Sequence, residues 1–374
     1  MAHPRRPNYW DYIKVEELLA LQGGIEPDDS SLSNDEVRFI VIHQIDELWF
    51  KLALRELTAA RDLFRGDHVP ETALSATVTA LKRVALIFEL AGSHFRLMET
   101  MRPKEYLRFR DKLSPASGFQ SAQMRELEIL LGLDEHERIR YGNEASFKDA
   151  LKGDQGTASP ALQRVILRIA DRPSLKDAIY AWLFRTPIHG SMPGRPGDEE
   201  TVQSFLAEFL VGHEHGMRVA VDHLAKAQAL TPDDELRLAQ RYRQQLAQAK
   251  AFLQAEDVTD PGERPRARRL RAAAIYIESH RELPLLAWPC EILDAIVEME
   301  QSMIVFRQRH ARMVERVIGR RVGTGGSDGV AYLDQTALQY RVFKELWATR
   351  TLLLQPDLLP QPHNPEFYDF RAQP

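Results

Sequence analysis

Cysteine is nearly absent from this chain: Cys290 is the only one in 374 residues. A single thiol excludes a disulfide framework within the chain and any cage of thiolates around a metal, and a reducing, cytoplasmic setting is expected. Long apolar runs are also missing. None approaches the roughly 18 residues of a membrane span, so no membrane partner is expected. Met1 to Pro7 carries Arg5 and Arg6 but no apolar stretch, so no secretory leader is expected. Basic charge is not in excess. The net charge of -5 lacks the positive surface of a nucleic-acid binder, and no such partner is expected. Runs of alternating polar and apolar residues, internal repeats and clear linkers are absent too, which leaves an all-α fold in one helical domain spanning 1–374.

What is present reads as a succession of helices. Residues 1–8 form a loose arm leading into Tyr9-Trp10-Asp11-Tyr12-Ile13, and such aromatic residues at a chain end need a surface to cover them. After a polar loop from Asp28 to Ser33, with Ser33 or Asn34 as cap, a helix runs from Asp35 to Arg65, and Phe39, His43, Asp46, Phe50 and Leu57 share one of its faces. A second runs from Pro70 to Glu99 with Leu81, Val84, Leu86, Ile87 and Leu90 as core. A short element covers Lys104 to Leu113, and another helix covers Ser121 to Leu133. Glycines and prolines break up 134–200. Two polar helices then form a hairpin, Glu199 to Ala229 and Pro232 to Glu256, followed by Arg264 to His280. A long helix begins near Ile292, and the proline-rich tail after Gln355 reads as irregular.

That long helix carries an apolar stripe, Ile292, Ile296, Met299, Met303, Phe306, His310, Met313 and Val317, at alternating spacings of four and three. His310 is its one polar member. It reads either as a satisfied core histidine or as a neutral imidazole offering a nitrogen to a metal. The following loop, Gly323-Thr324-Gly325-Gly326-Ser327-Asp328-Gly329, is neither a dinucleotide fingerprint nor a Walker loop. It is a flexible turn, or a cradle of backbone N–H groups for an anion or zwitterion with the Thr324 hydroxyl added. His43, four residues after Phe39, is core packing or a polar handle for an N–H donor. Tyr106 and Arg110 are again four apart: the arginine is either an exposed helix residue or a carboxylate grip, with the tyrosine closing the pocket. His213 and His215 diverge by about 200° on a helix and read as surface histidines.

Four blocks, in order along the chain, resemble the tryptophan 2,3-dioxygenase family: Tyr9 to Ile13; Phe39 to Trp49; Glu105 to Arg110 with Ser117 to Ser121; and Arg309 to Val314 through Gly323 to Ser327. The resemblance implies an all-helical, haem-binding bundle into which the polar hairpin is inserted, with about 134–285 as a variable region. It implies haem b, ferrous when active, with His310 as proximal iron ligand and Ser117 and Gly118 lining the haem pocket. It implies that His43 meets the indole N–H, that Arg110 holds the substrate carboxylate and Thr324 the ammonium, and that Phe39 and Tyr106 wall the pocket. Tyr9, Tyr12 and Ile13, within an arm of 1–34, then reach a neighbouring subunit's site in a homotetramer, a dimer of dimers. The implied reaction opens the C2–C3 bond of L-tryptophan, or a close analogue, with O2 to give N-formyl-L-kynurenine. Two alternatives stand beside it: a haem monooxygenase acting on a substituted tryptophan or tyrosine, and a helical haem-binding protein without turnover. Asp46 and Asp328 depart from the family pattern.

Overall fold

The computed structural model describes residues 8–113, 120–139, 147–153, 157–228, 231–321 and 329–369. Among them helices account for all regular structure apart from two isolated bridges, Lys152 to Ala158 and Ile188 to Ser191. In chain order these are α1 (Tyr9–Ile13), α2 (Val15–Leu19), α3 (Asn34–Phe64), α4 (Glu71–Met98), α5 (Pro103–Phe109), α6 (Ala122–Leu131), α7 (Phe147–Ala150) and α8 (Pro160–Ala170). They continue as α9 (Leu175–Arg185), α10 (Asp198–Gln228), α11 (Pro232–Leu253), α12 (Arg264–Ser279), α13 (Pro284–Ile318), α14 (Val330–Gln339) and α15 (Lys344–Leu352). The all-α reading holds.

The chain gathers into two compact units. The first comprises 1–56, 83–172 and 301–340. Its core is a nest of rings in which Phe306 of α13 meets Phe50 of α3 at 5.9 Å and Phe88 and Phe95 of α4 at 5.6 and 5.3 Å. Such pairs add to the area they remove from water. Helix α3 starts where Ser33 Oγ accepts the Glu36 N–H at 3.2 Å, and Asp35 and Glu36 complement the positive end of the helix dipole. Helix α6 is buried on nearly every side and packs on α8 through Ala122, Ile129, Leu162 and Val165. The core of α4 is the expected one in part. Leu81, Val84 and Ile87 are buried as expected, but Leu86 and Leu90 are exposed, and Phe88, Ala91 and Phe95 are buried as well. Leu81, Val84, Phe88, Ala91 and Phe95 follow the 3-4-3-4 spacing of one helix face, which Leu86 and Leu90 do not obey with Leu81 and Val84.

The second unit comprises 57–82, 173–300 and 341–374. Helix α9 is opened by a capping box in which Ser174 and Asp177 each accept the other's backbone N–H. Helices α10 and α11 form the polar hairpin anticipated from sequence, with Val202, Phe205, Leu206 and Phe209 of α10 buried. In α12, Arg269 is bidentate to Asp198, and Arg271 joins Asp257 and Glu345. The tail is more ordered than its prolines suggest. Tyr368 donates to Pro187 O at 3.0 Å, and Leu358 lies so close to Gly212 that a Cβ there would stand 2.2 Å from its carbonyl oxygen.

The long helix begins at Pro284, eight residues before the stripe, and Pro289 lies within its second turn. Every apolar member of the stripe is buried. Helices α14 and α15 carry no expectation from sequence. The second is started by a buried carboxylate: Glu300 accepts the N–H groups of Val342 and Phe343 and the indole N–H of Trp347.

Candidate active site

The first unit brings His310, His43, Phe39, Tyr106 and Arg110 into one neighbourhood. His310 lies half-buried on α13 beside Phe95, stacked at 5.2 Å, with Phe306 at 6.4 Å. Neither of its ring nitrogens has a hydrogen-bond partner among the described residues. Desolvation, then the nearby His43 and Arg307, lower its pKa to about 4, so the imidazole is neutral at physiological pH. The influence of His43 also shows that the two imidazoles lie within electrostatic reach of each other.

His43 Nδ1 lies 2.7 Å from the Phe39 carbonyl, one turn back on α3. A carbonyl only accepts, so Nδ1 carries the proton and Nε2 presents a bare lone pair. Desolvation lowers the pKa of this ring, against smaller opposing effects of Phe39 and Glu47. The residue is nevertheless exposed in this chain.

Phe39 packs against His43 with the rings tilted and their centroids 4.1 Å apart, and lies 6.2 Å from Tyr106. Phe109, absent from the expected set, completes the wall at 5.6 Å from Phe39 and 5.4 Å from Tyr106. The signal was available, since Phe109 follows Tyr106 by three on the same short helix. Arg110 donates to the Tyr106 hydroxyl, whose pKa burial nonetheless raises. Phe95 is a second unforeseen neighbour, and nothing in α4 marked it out from its other core residues.

The flanks of α13 separate. Arg307 is buried and donates to Glu128 Oε1 at 2.7 Å, whereas Arg309 and Arg312 are exposed or half-exposed and pair with Glu99 and Asp334. Tyr9, Trp10, Tyr12 and Ile13 are all exposed on α1, Tyr12 at 78%. Thr324, Ser117, Gly118 and Asp328 lie outside the described residues. His213 and His215 diverge as geometry requires, but only His215 is at the surface; His213 is buried and stacks on Phe209 at 6.4 Å. No group of three or more metal-binding side chains occurs among the described residues.

The sequence model of the family described as tryptophan 2,3-dioxygenase matches residues 5–353. The chain belongs to the tryptophan 2,3-dioxygenase family. A tryptophan 2,3-dioxygenase of Sorangium cellulosum is 54% identical over 372 residues, covering 98% of this chain and 88% of that relative. Tryptophan 2,3-dioxygenase 2 of Ralstonia nicotianae is 51% identical over 372 residues, covering 98% of each chain. The tryptophan 2,3-dioxygenase of Xenopus laevis is 32% identical over 366 residues, 97% of this chain and 86% of its own. The chain is thus an oxidoreductase of a haem-dependent family. The donor chemistry fits that group: a neutral imidazole with no competing hydrogen bond, set beside phenylalanine rings, is a suitable ligand for its iron. Among the described residues no helix is long and apolar enough to cross a membrane.

Proposed function

We propose that this protein opens the indole C2–C3 bond of L-tryptophan with O2 to give N-formyl-L-kynurenine. The observation that carries the reading is the pairing of two neutral histidines in one apolar site, His310 with no partner and His43 with its proton fixed on Nδ1. His310 would hold haem b through its iron. Bound ferrous haem supplies the redox chemistry with dioxygen, and the protein supplies orientation and electrostatics.

His43 Nε2 accepts the indole N–H and fixes the ring's position. The product gains two oxygen atoms and nothing else, and the indole nitrogen keeps its hydrogen as the formamide N–H. The net reaction thus asks no proton of His43, and its lowered pKa keeps it an acceptor for the indole N–H at neutral pH. Arg110, steadied by Tyr106, takes the substrate carboxylate through charge-assisted hydrogen bonds, and Thr324 takes the ammonium. Phe39, Tyr106 and Phe109 exclude water from the indole. Positioning of this kind supplies several kcal/mol of barrier reduction.

Ser117 and Gly118 line the haem, and the exposed Tyr9, Tyr12 and Ile13 close the site of a neighbouring subunit in a homotetramer. Burial in a partner accounts for an aromatic helix that its own chain leaves uncovered. The protein works in the cytoplasm as a single helical domain. The test is anaerobic reduction of the haem-loaded protein, addition of L-tryptophan and O2, and mass analysis of the product. N-formyl-L-kynurenine is expected; a product with one added oxygen and an intact ring overturns the assignment.

A further inference from the structure

Asp46, one turn beyond His43 on α3, is buried at 8% exposure, and its Oδ1 lies 3.5 Å from His94 Nδ1 of α4. Both atoms are enclosed by protein, and neither makes a well-formed hydrogen bond. Trp49, a further turn along α3, has its indole N–H enclosed and unpartnered as well. An enclosed carboxylate oxygen without a donor is costly, and the usual escape is to carry a proton. The acceptor for that proton is already in place, because His94 Nδ1 is the polar atom facing Asp46. The arrangement touches both walls of the site. Asp46 shares a helix face with His43, and His94 directly precedes Phe95, the ring stacked on His310.

We propose that Asp46 and His94 form a proton-sharing pair whose charge state sets the electrostatics of the His43–His310 site. With one proton between them, the pair adds no net charge to the pocket. When the proton leaves, a negative charge stands one helical turn from His43. The charge acting on Asp46 is that of Glu47 on its own helix, which Gln123 of α6 holds at 2.7 Å, and the titratable side chain facing it from α4 is His94. Desolvation first and Glu47 second raise Asp46 to about 7, so the change of state falls within the physiological range. A negative charge near the iron stabilises the ferric over the ferrous state, so ionisation lowers the reduction potential. The pair acts through its surroundings, and both members are positioning residues. Its consequence for turnover rests on the haem dioxygenase reading above, but the measurements need no turnover.

Asp46→Asn keeps the shape of the protonated acid and a donor toward His94, so it freezes the uncharged state. Infrared difference spectra of the haem-loaded protein between about pH 6 and about pH 8.5 should show a carboxylic C=O band lost as pH rises, and Asp46→Asn should lack it. Midpoint potentials of the two proteins should coincide at about pH 6 and part as pH rises through 7, with Asp46→Asn the higher. His94→Gln, which accepts a hydrogen bond but cannot take a proton, should shift the loss of the band to higher pH. A wild-type difference spectrum without such a band overturns the proposal, even if the variants fail to fold. Parallel pH dependence of the two potentials overturns it equally. Failure of tryptophan turnover with the band present would strike the functional reading and leave the pair standing.

Discussion

Glu128→Gln is a perturbation whose size can be worked from the structure. Glu128 is enclosed in the first unit at 1% exposure and is contacted by three arginines: Arg138 at 2.5 Å, Arg307 at 2.7 Å and Arg125 at 3.0 Å. Burial alone would raise its pKa, but the three guanidiniums together lower it from the ordinary 4.5 to about 2. At about 1.4 kcal/mol for each tenfold change in proton affinity, the ionised carboxyl contributes roughly 3 kcal/mol to folding. Breaking a buried ion pair costs about 3–5 kcal/mol, the same order. The pKa is depressed on folding, so the contribution is fully present above the unfolded value and is lost as pH falls toward the folded one. Urea unfolding followed by far-UV circular dichroism should therefore place the variant roughly 3 kcal/mol below wild type at neutral pH, with the gap closing between about pH 5 and 2. A gap of equal size at about pH 3 and pH 7 would refute the electrostatic account and leave only packing.

Three further outcomes follow from the geometry. Arg110→Ala should weaken L-tryptophan binding by about 1.5–3 kcal/mol, the worth of hydrogen bonds to a charged group, with haem content unchanged; equal substrate affinity by spectral titration counts against the carboxylate grip. His43→Ala should cost L-tryptophan about 1 kcal/mol of affinity, and 1-methyl-tryptophan, which has no indole N–H, almost nothing; equal losses for both ligands contradict the assigned hydrogen bond. Gly212→Ala places a Cβ 2.2 Å from Leu358 O and should lower stability by about 1–3 kcal/mol through displacement of the tail, read as a fall in Tm.

Helix periodicity carried most of the fold. The stripe from Ile292 to Val317 is buried as its spacing required, and the ends of α3, α6, α10 and α12 fall close to where caps and breakers placed them. It failed where several leucines crowd one helix. Leu86 and Leu90 are as apolar as Leu81, and only the packing partners of α4 decide which face turns inward. Helices α14 and α15 were not foreseen because their signals are tertiary: the start of α15 is fixed by Glu300, far away in sequence, and not by a local cap. At the site, sequence supplied the residues but not their states. That His43 carries its proton on Nδ1 depends on a 2.7 Å contact with Phe39 O, and that His310 is neutral depends on desolvation and on His43. Asp46 stood out in the sequence as a departure from a family pattern, but its partner His94 belongs to another helix and could only be found in three dimensions.

The central claim is that His310 holds the haem while His43 faces the substrate. Absorption spectra of wild type, His310→Ala and His43→Ala, each purified after loading with haem, test it directly. The predicted result is a stable haem spectrum in wild type and His43→Ala and loss of bound haem in His310→Ala. A normal haem spectrum in His310→Ala, or loss of haem in His43→Ala alone, would contradict the assignment.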